Sequence, residues 1–403
     1  MRHLGQKRMG KWEFIALIAM MFGTIAFSVD AILPAYPSIE AELAPAATGR
    51  VHLMITLFMA GLAFGTLIAG PLSDAIGRRP TMFVGAALYI SAGTVAWLSN
   101  SFEVIVIARF VQGFGAAGPR VVSLAIVRDL YEGRAMAQIV SFAMVLFTIV
   151  PTLAPAMGDV LSHLFGWRSI LLFFIVFSLL STFWIWARLD EPLPVEARRP
   201  FRIAHFISAG REILAHPTVR LSIAVQSLSL ALIFCLIVSV QPIYDIVFGR
   251  GESFAYWFGG IALFAAASTS LANAALVMRF GMRLLVTIGM CGQMLSASLA
   301  LILLETQPEL AFQSFVLFQF LLIFLSGLCV GNLNALALEP MGHIAGFTAS
   351  VTGATSTILA AAVASFVGFQ FDGTPIPLVI SALVLSTLGF GLMLRMRRWA
   401  LVA

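Results

Sequence analysis

Asp30 and Arg109 are the side chains whose setting most plainly invites chemistry. Asp30 is the one acidic residue of 19 that falls inside an apolar run rather than at its edge. An ionisable group at membrane depth marks a functional site by default, and a lone carboxyl there can take up and release a proton. Arg109 sits in another apolar run at similar depth, about six residues from its end against about four for Asp30. Facing one another, the two would form either a proton-coupling pair, with the guanidinium tuning the acid, or an ion pair that only ties two helices together. An arginine that snorkels to the surface is a third reading for Arg109. Arg120 has no acid near its depth. It either snorkels to the inner surface or contacts an anionic group of a substrate. Among the uncharged polar residues of the second half, Gln226, Asn273, Gln293, Gln319, Asn332 and Asn334 serve either as interhelical hydrogen-bond glue or as ligands. Asn332 and Asn334, two apart, point in different directions.

The elements that must hold these groups follow from composition. The 403 residues are 60% hydrophobic and 11% charged, with a mean hydropathy of +0.98. Soluble domains carry roughly 25% charged residues, which excludes a soluble enzyme, a secreted disulfide scaffold or a disordered regulator. The three cysteines lie in apolar stretches without ligand spacing and read as buried thiols. A helix needs about 20 apolar residues to cross the hydrocarbon. That ruler yields twelve runs, at 14–34, 51–71, 81–99, 104–124, 138–158, 169–187, 219–243, 254–276, 284–304, 312–336, 347–369 and 377–394. They are too long and evenly apolar for barrel staves. The expected fold class is an all-α integral membrane protein with twelve transmembrane helices.

The basic residues orient it. The tails and the loops on their side hold 19 of the 24 Lys and Arg, while the opposite loops hold Arg50, Arg168 and Arg250. Both termini are therefore expected in the cytoplasm. The longest loop splits the runs six and six, giving an N-terminal bundle over 1–190, a linker over 191–218 with a stretch from Phe201 to Leu214 suited to the membrane surface, and a C-terminal bundle over 219–403. Gly77 and Gly281 occupy matching loops of the two halves, as a parallel repeat predicts.

Three strings carry a resemblance. GPLSDAIGRRP, Gly70 to Pro80, is similar to the GxLaDrxGrr loop of the major facilitator superfamily. RFVQGFGAAGP, Arg109 to Pro119 and including Gln112 and Gly113, resembles that superfamily's RxxQGxgaa motif. PTLAPAMG, with Pro151, Pro155 and Gly158, is similar to the proline-glycine motif of drug:proton exchangers, although Ala154 and Asp159 stand where glycines are usual. With LPAxP after Asp30 and RDLY around Asp129, the chain resembles the bicyclomycin/chloramphenicol-resistance branch of multidrug exporters. The resemblance implies two pseudo-symmetric six-helix bundles. It also implies a charge latch of Gly70, Asp74, Gly77, Arg78, Arg79 and Asp129 that stabilises the outward-facing state. A plain positive-inside turn would explain Arg78 and Arg79 but neither Asp74 nor the glycines.

The function expected is efflux of a small amphipathic substrate in exchange for protons by alternating access, in the inner membrane of a bacterium and as a monomer. A proton-coupled uptake symporter on the same fold is the alternative. The proton gradient would supply the energy, with no cofactor, because the sequence holds no GxxxxGK[ST] loop. Scattered histidines without HExxH spacing speak against an enzyme or a metal site, and the basic excess is accounted for by the bilayer rather than by nucleic acid.

Overall fold

The computed structural model describes residues 9–43, 50–198 and 203–402, and within these the side chains of 134, 137, 141, 143–148, 151, 203–207 and 397–402 are left undescribed. Arg2, Lys7, Arg8, Arg199, Phe201, Arg202 and the Pro151 ring accordingly lie outside the described residues. The described residues form helices joined by short turns, without a strand among them. Twelve helices have 20 or more residues. They are α1 (Lys11–Asp30), α2 (Leu53–Ile76), α3 (Arg78–Leu98), α4 (Phe102–Leu130), α5 (Gly133–Phe165), α6 (Arg168–Arg188), α7 (Pro217–Pro242), α8 (Phe254–Phe280), α9 (Met282–Thr306), α10 (Ala311–Leu338), α11 (Ala345–Gly368) and α12 (Ile376–Val402). All but α5 fall in segments long and apolar enough to cross a membrane. At 33 residues, α5 is about 50 Å long and has the same reach.

Several helices outrun the apolar ruler. The run over 104–124 becomes 102–130 in α4, and that over 138–158 becomes 133–165 in α5. Polar residues such as Arg128, Asp129 and Asp159 continue a helix without penalty once it has left the hydrocarbon, so hydropathy truncates what hydrogen bonding extends. The first run changes differently. After α1 ends at Asp30 the chain makes a 3-10 turn, Leu33–Ala35, and continues as a short helix, Tyr36–Leu43. Lys11–Leu43 together are long and apolar enough to cross a membrane, with Asp30 at the junction between α1 and the turn.

Two compact units emerge, Met1–Ala46 with Leu57–Arg202, and Ala47–Thr56 with Ile203–Ala403. In the first, α1 packs on α4, α5 and α6, and α4 on α3. Phe14, Leu17, Ile18 and Met21 of α1 meet Val122, Ile126 and Val127 of α4 in its core. In the second, α7 packs against α10, α11 and α12, and α9 against α10 and α12. Val225, Val286, Met290, Cys329 and Met393 fill the space between them. The linker's amphipathic stretch is the helix Ile203–Ala215, and its Ile213 is buried beside Val219 and Ala337.

Gly77 and Gly281 show the echo between the units. Each has a positive φ, 108° and 74°, and each is the residue from which the next long helix, α3 or α9, springs. Only glycine adopts that conformation without a steric cost.

Candidate functional site

In the first unit the site grows from a backbone contact. Gly113 of α4 lies so close to α2 that a Cβ there would stand 1.9 Å from the Phe58 carbonyl oxygen, and Gly61 is set equally close to Phe110. Small residues at such crossings are how membrane helices approach. The crossing brings the Phe58 ring to 4.4 Å from the Arg109 guanidinium, with Phe174 of α6 at 5.6 Å.

Arg109 is 0% exposed. One guanidinium nitrogen donates to the Ser28 carbonyl of α1, and another donates to Gln112 Oε1 at 2.7 Å. The Ser28 hydroxyl donates to the Thr24 carbonyl at 2.6 Å and shares a hydrogen bond with the Tyr89 hydroxyl of α3. Arg109 therefore ties α1 and α4 together through a main-chain oxygen, and surface snorkelling does not describe it. Asp30, 6% exposed, lies two residues beyond Ser28 at the C-terminus of α1, where the helix dipole opposes negative charge. Its carboxyl is not among the groups that these Arg109 bonds engage. Arg109 reaches α1 at the Ser28 carbonyl, two residues before Asp30, the last residue of that helix. Alongside, Gly158 of α5 abuts the Ala31 carbonyl, where a Cβ would meet oxygen at 1.8 Å, and Pro155 is buried in the same helix. Asp159, the departure from the proline-glycine pattern, faces His163 at 3.4 Å.

A second cluster sits at the turn between α2 and α3. Arg78, 3% exposed, donates from Nε to Asp129 at 2.7 Å and from one terminal nitrogen to Asp74 at 2.6 Å and Ser73 Oγ at 2.7 Å. Ser73 Oγ in turn donates to the Gly70 carbonyl at 2.7 Å. Thus Gly70, Asp74, Gly77, Arg78 and Asp129 are brought together. Arg79 is directed elsewhere, donating to the Trp186 carbonyl at 3.1 Å and lying 5.5 Å from the Phe83 ring. The residue that motif reading missed is Glu191. Its two carboxylate oxygens accept the backbone N–H groups of Arg78 and Arg79 at 2.8 and 2.9 Å, capping α3 from 113 residues away. A carboxylate just past the end of a span was visible, but nothing local says which helix it caps. Glu13 was likewise unremarked, and it receives Arg188 through two bonds of 2.7 and 2.8 Å.

In the second unit Asn332 donates to Asn273 Oδ1 and to the Leu328 carbonyl, both at 2.7 Å. Asn334 is half-buried and Arg120 exposed. Tyr244 donates to Gln319 at 2.9 Å, and Gln293 to Ser326 at 2.7 Å.

The chain is similar to several known proteins. The multidrug resistance protein MdtL of Salmonella typhi is 30% identical over 56% of each chain. A bicyclomycin resistance protein homolog of Haemophilus influenzae is 25% identical over 94% of this chain and 95% of its own length. The xylose transporter XylE of Escherichia coli superimposes with a TM-score of 0.68 at 14% identity, covering 96% of this chain and 97% of XylE, which speaks to the fold. A model of the Major Facilitator Superfamily matches residues 15–368. With that match across most of its length, the chain is a multi-pass membrane protein that belongs to the Major Facilitator Superfamily, a family of transporters rather than enzymes.

Proposed function

We propose that the chain exports small amphipathic molecules in exchange for protons by alternating access, as a monomer in a bacterial inner membrane with both termini in the cytoplasm. The observation that carries this reading is the buried Asp30 carboxyl, placed where α1 stops and two residues from the carbonyl that Arg109 grips. A carboxyl in that position exchanges its proton as its access to water changes, because carrying the charge away from water is costly. Arg109 holds α1 in register with α4, so movement of either helix is felt at Asp30. The Arg78 cluster locks the ends of α2, α3 and α4 together, and its making and breaking would accompany the change between states. The names of the relatives, multidrug resistance and bicyclomycin resistance, favour drug-like cargo and outward transport. The excess of Lys and Arg on one side supports the orientation.

The test is uptake of candidate drugs into inverted vesicles under an imposed pH gradient, for the parent chain and Asp30→Asn. Gradient-dependent accumulation in the parent and none in the variant is the expected result. Equal accumulation in both, or accumulation indifferent to the gradient, removes Asp30 from the mechanism.

A further inference from the structure

We propose that Arg120 is a recognition group for a carboxylate on the transported molecule, so that the cargo class includes amphipathic monoanions and zwitterions. The inference rests on the transport reading and refines it by naming a substrate chemistry.

Depth comes first. Arg120 lies four residues inside the apolar run over 104–124 and ten residues before the end of α4 at Leu130. Partners come second. All 19 acidic residues of the chain lie within the described segments, and the ion pairs formed there include those with Arg78, His163, Arg168, Arg188 and His343. Arg120 takes part in no ion pair or hydrogen bond of its side chain among the described residues.

Direction is the third point. Eleven residues past Arg109, Arg120 projects within about 20° of it, and about 140° round the helix from Ile107. Ile107, 64% exposed, marks the outer side of α4. Arg120 therefore continues the inward face that carries Arg109, Gly113 and Ala116, all buried. Arg120 is itself exposed, on a face where Ala116 and Val127 to either side are fully buried.

An uncompensated cation at this depth is expensive to maintain, and a guanidinium presents a planar fork that matches a carboxylate with two parallel hydrogen bonds. With Arg109 already engaged by Ser28 and Gln112, one positive charge is on offer, which suits a monoanion better than a dianion. The small and apolar residues nearby on the same face, Ala116 and Leu124, suit the apolar body of such a molecule.

The experiment uses the purified full-length chain and a matched pair of fluorescent probes, dansyl-norleucine and its neutral methyl ester, with binding followed by fluorescence. The parent chain should bind the acid more tightly than the ester. Arg120→Gln should lose about tenfold or more of acid affinity while ester binding is unchanged, and Arg120→Lys should keep part of the preference. A parent chain that binds both probes alike, or neither, overturns the proposal, as does a preference undiminished in Arg120→Gln. Ester binding, together with the melting temperature, shows that each variant is folded. Gradient-driven uptake of the ester, lost in Asp30→Asn but kept in Arg120→Gln, reports on the transport reading separately.

Discussion

The Glu191 carboxylate caps the helix that Arg78 opens, accepting the Arg78 and Arg79 main-chain N–H groups at 2.8 and 2.9 Å. The first residues of a helix have N–H groups without intrahelical partners, and a carboxylate there also meets the favourable end of the helix dipole. The start of α3 is thereby fastened to the chain just beyond α6, in the same turn where Arg78 holds Asp74 and Asp129.

Removing that cap should loosen the turn. Glu191→Ala is expected to destabilise the protein by about 1–2 kcal/mol, the usual cost of losing a helix cap, and Glu191→Gln by less because an amide oxygen still accepts one bond. Thermal unfolding in detergent, with cysteine labelling at position 76, measures both; equal stability of the parent and Glu191→Ala would show that the cap is dispensable.

Arg78 is the hub of its cluster, and its donors have separate recipients. Arg78→Lys keeps the charge but cannot reach Asp129 and Asp74 from opposite ends of a fork. The expected cost is about 3 kcal/mol, as for breaking a buried pair, together with altered labelling of cysteines introduced on either side of the membrane. Unchanged labelling would separate the cluster's stability role from any part in switching states.

Gly113 and Gly118 of α4 offer a matched contrast. A methyl group at Gly113 would stand 1.9 Å from the Phe58 carbonyl oxygen, whereas one at Gly118 has nothing nearer than 3.5 Å. Gly113→Ala should cost about 3 kcal/mol or prevent folding, since backbone must move. Gly118→Ala should be nearly neutral. Comparable melting temperatures for the two would contradict the close crossing of α2 and α4.

For Arg109 the conservative change is informative. Arg109→Lys cannot reach the Ser28 carbonyl and Gln112 Oε1 together, so transport should fall roughly tenfold or more, the scale of one charge-assisted hydrogen bond. Expression and melting temperature should change much less than transport. A fully active Arg109→Lys would reduce the residue to a generic positive charge.

Much of this was legible in the residues alone. The apolar runs, their number and their halving into two sets follow from composition, because a bilayer demands about 20 apolar residues of each crossing helix whatever its neighbours are. Asp30 stood out for the same reason, as the exception inside a run. The turn carrying Asp74, Gly77 and Arg78 is compact enough that its pairing is local, four residues apart.

What tertiary structure decided was the choice of partners and the depth of each charge. Arg109 meets a main-chain carbonyl 81 residues away, a partner that nothing in its own stretch of sequence names. Glu191 finds α3 because the end of α6 returns beside it. Arg120 sits within a helix that hydrogen bonding carries on to Leu130, past the point where hydropathy falls. Hydrophobicity acts on each segment by itself, so a chain read in order reveals it; hydrogen bonds and ion pairs belong to neighbours in space, and only the packed helices name those.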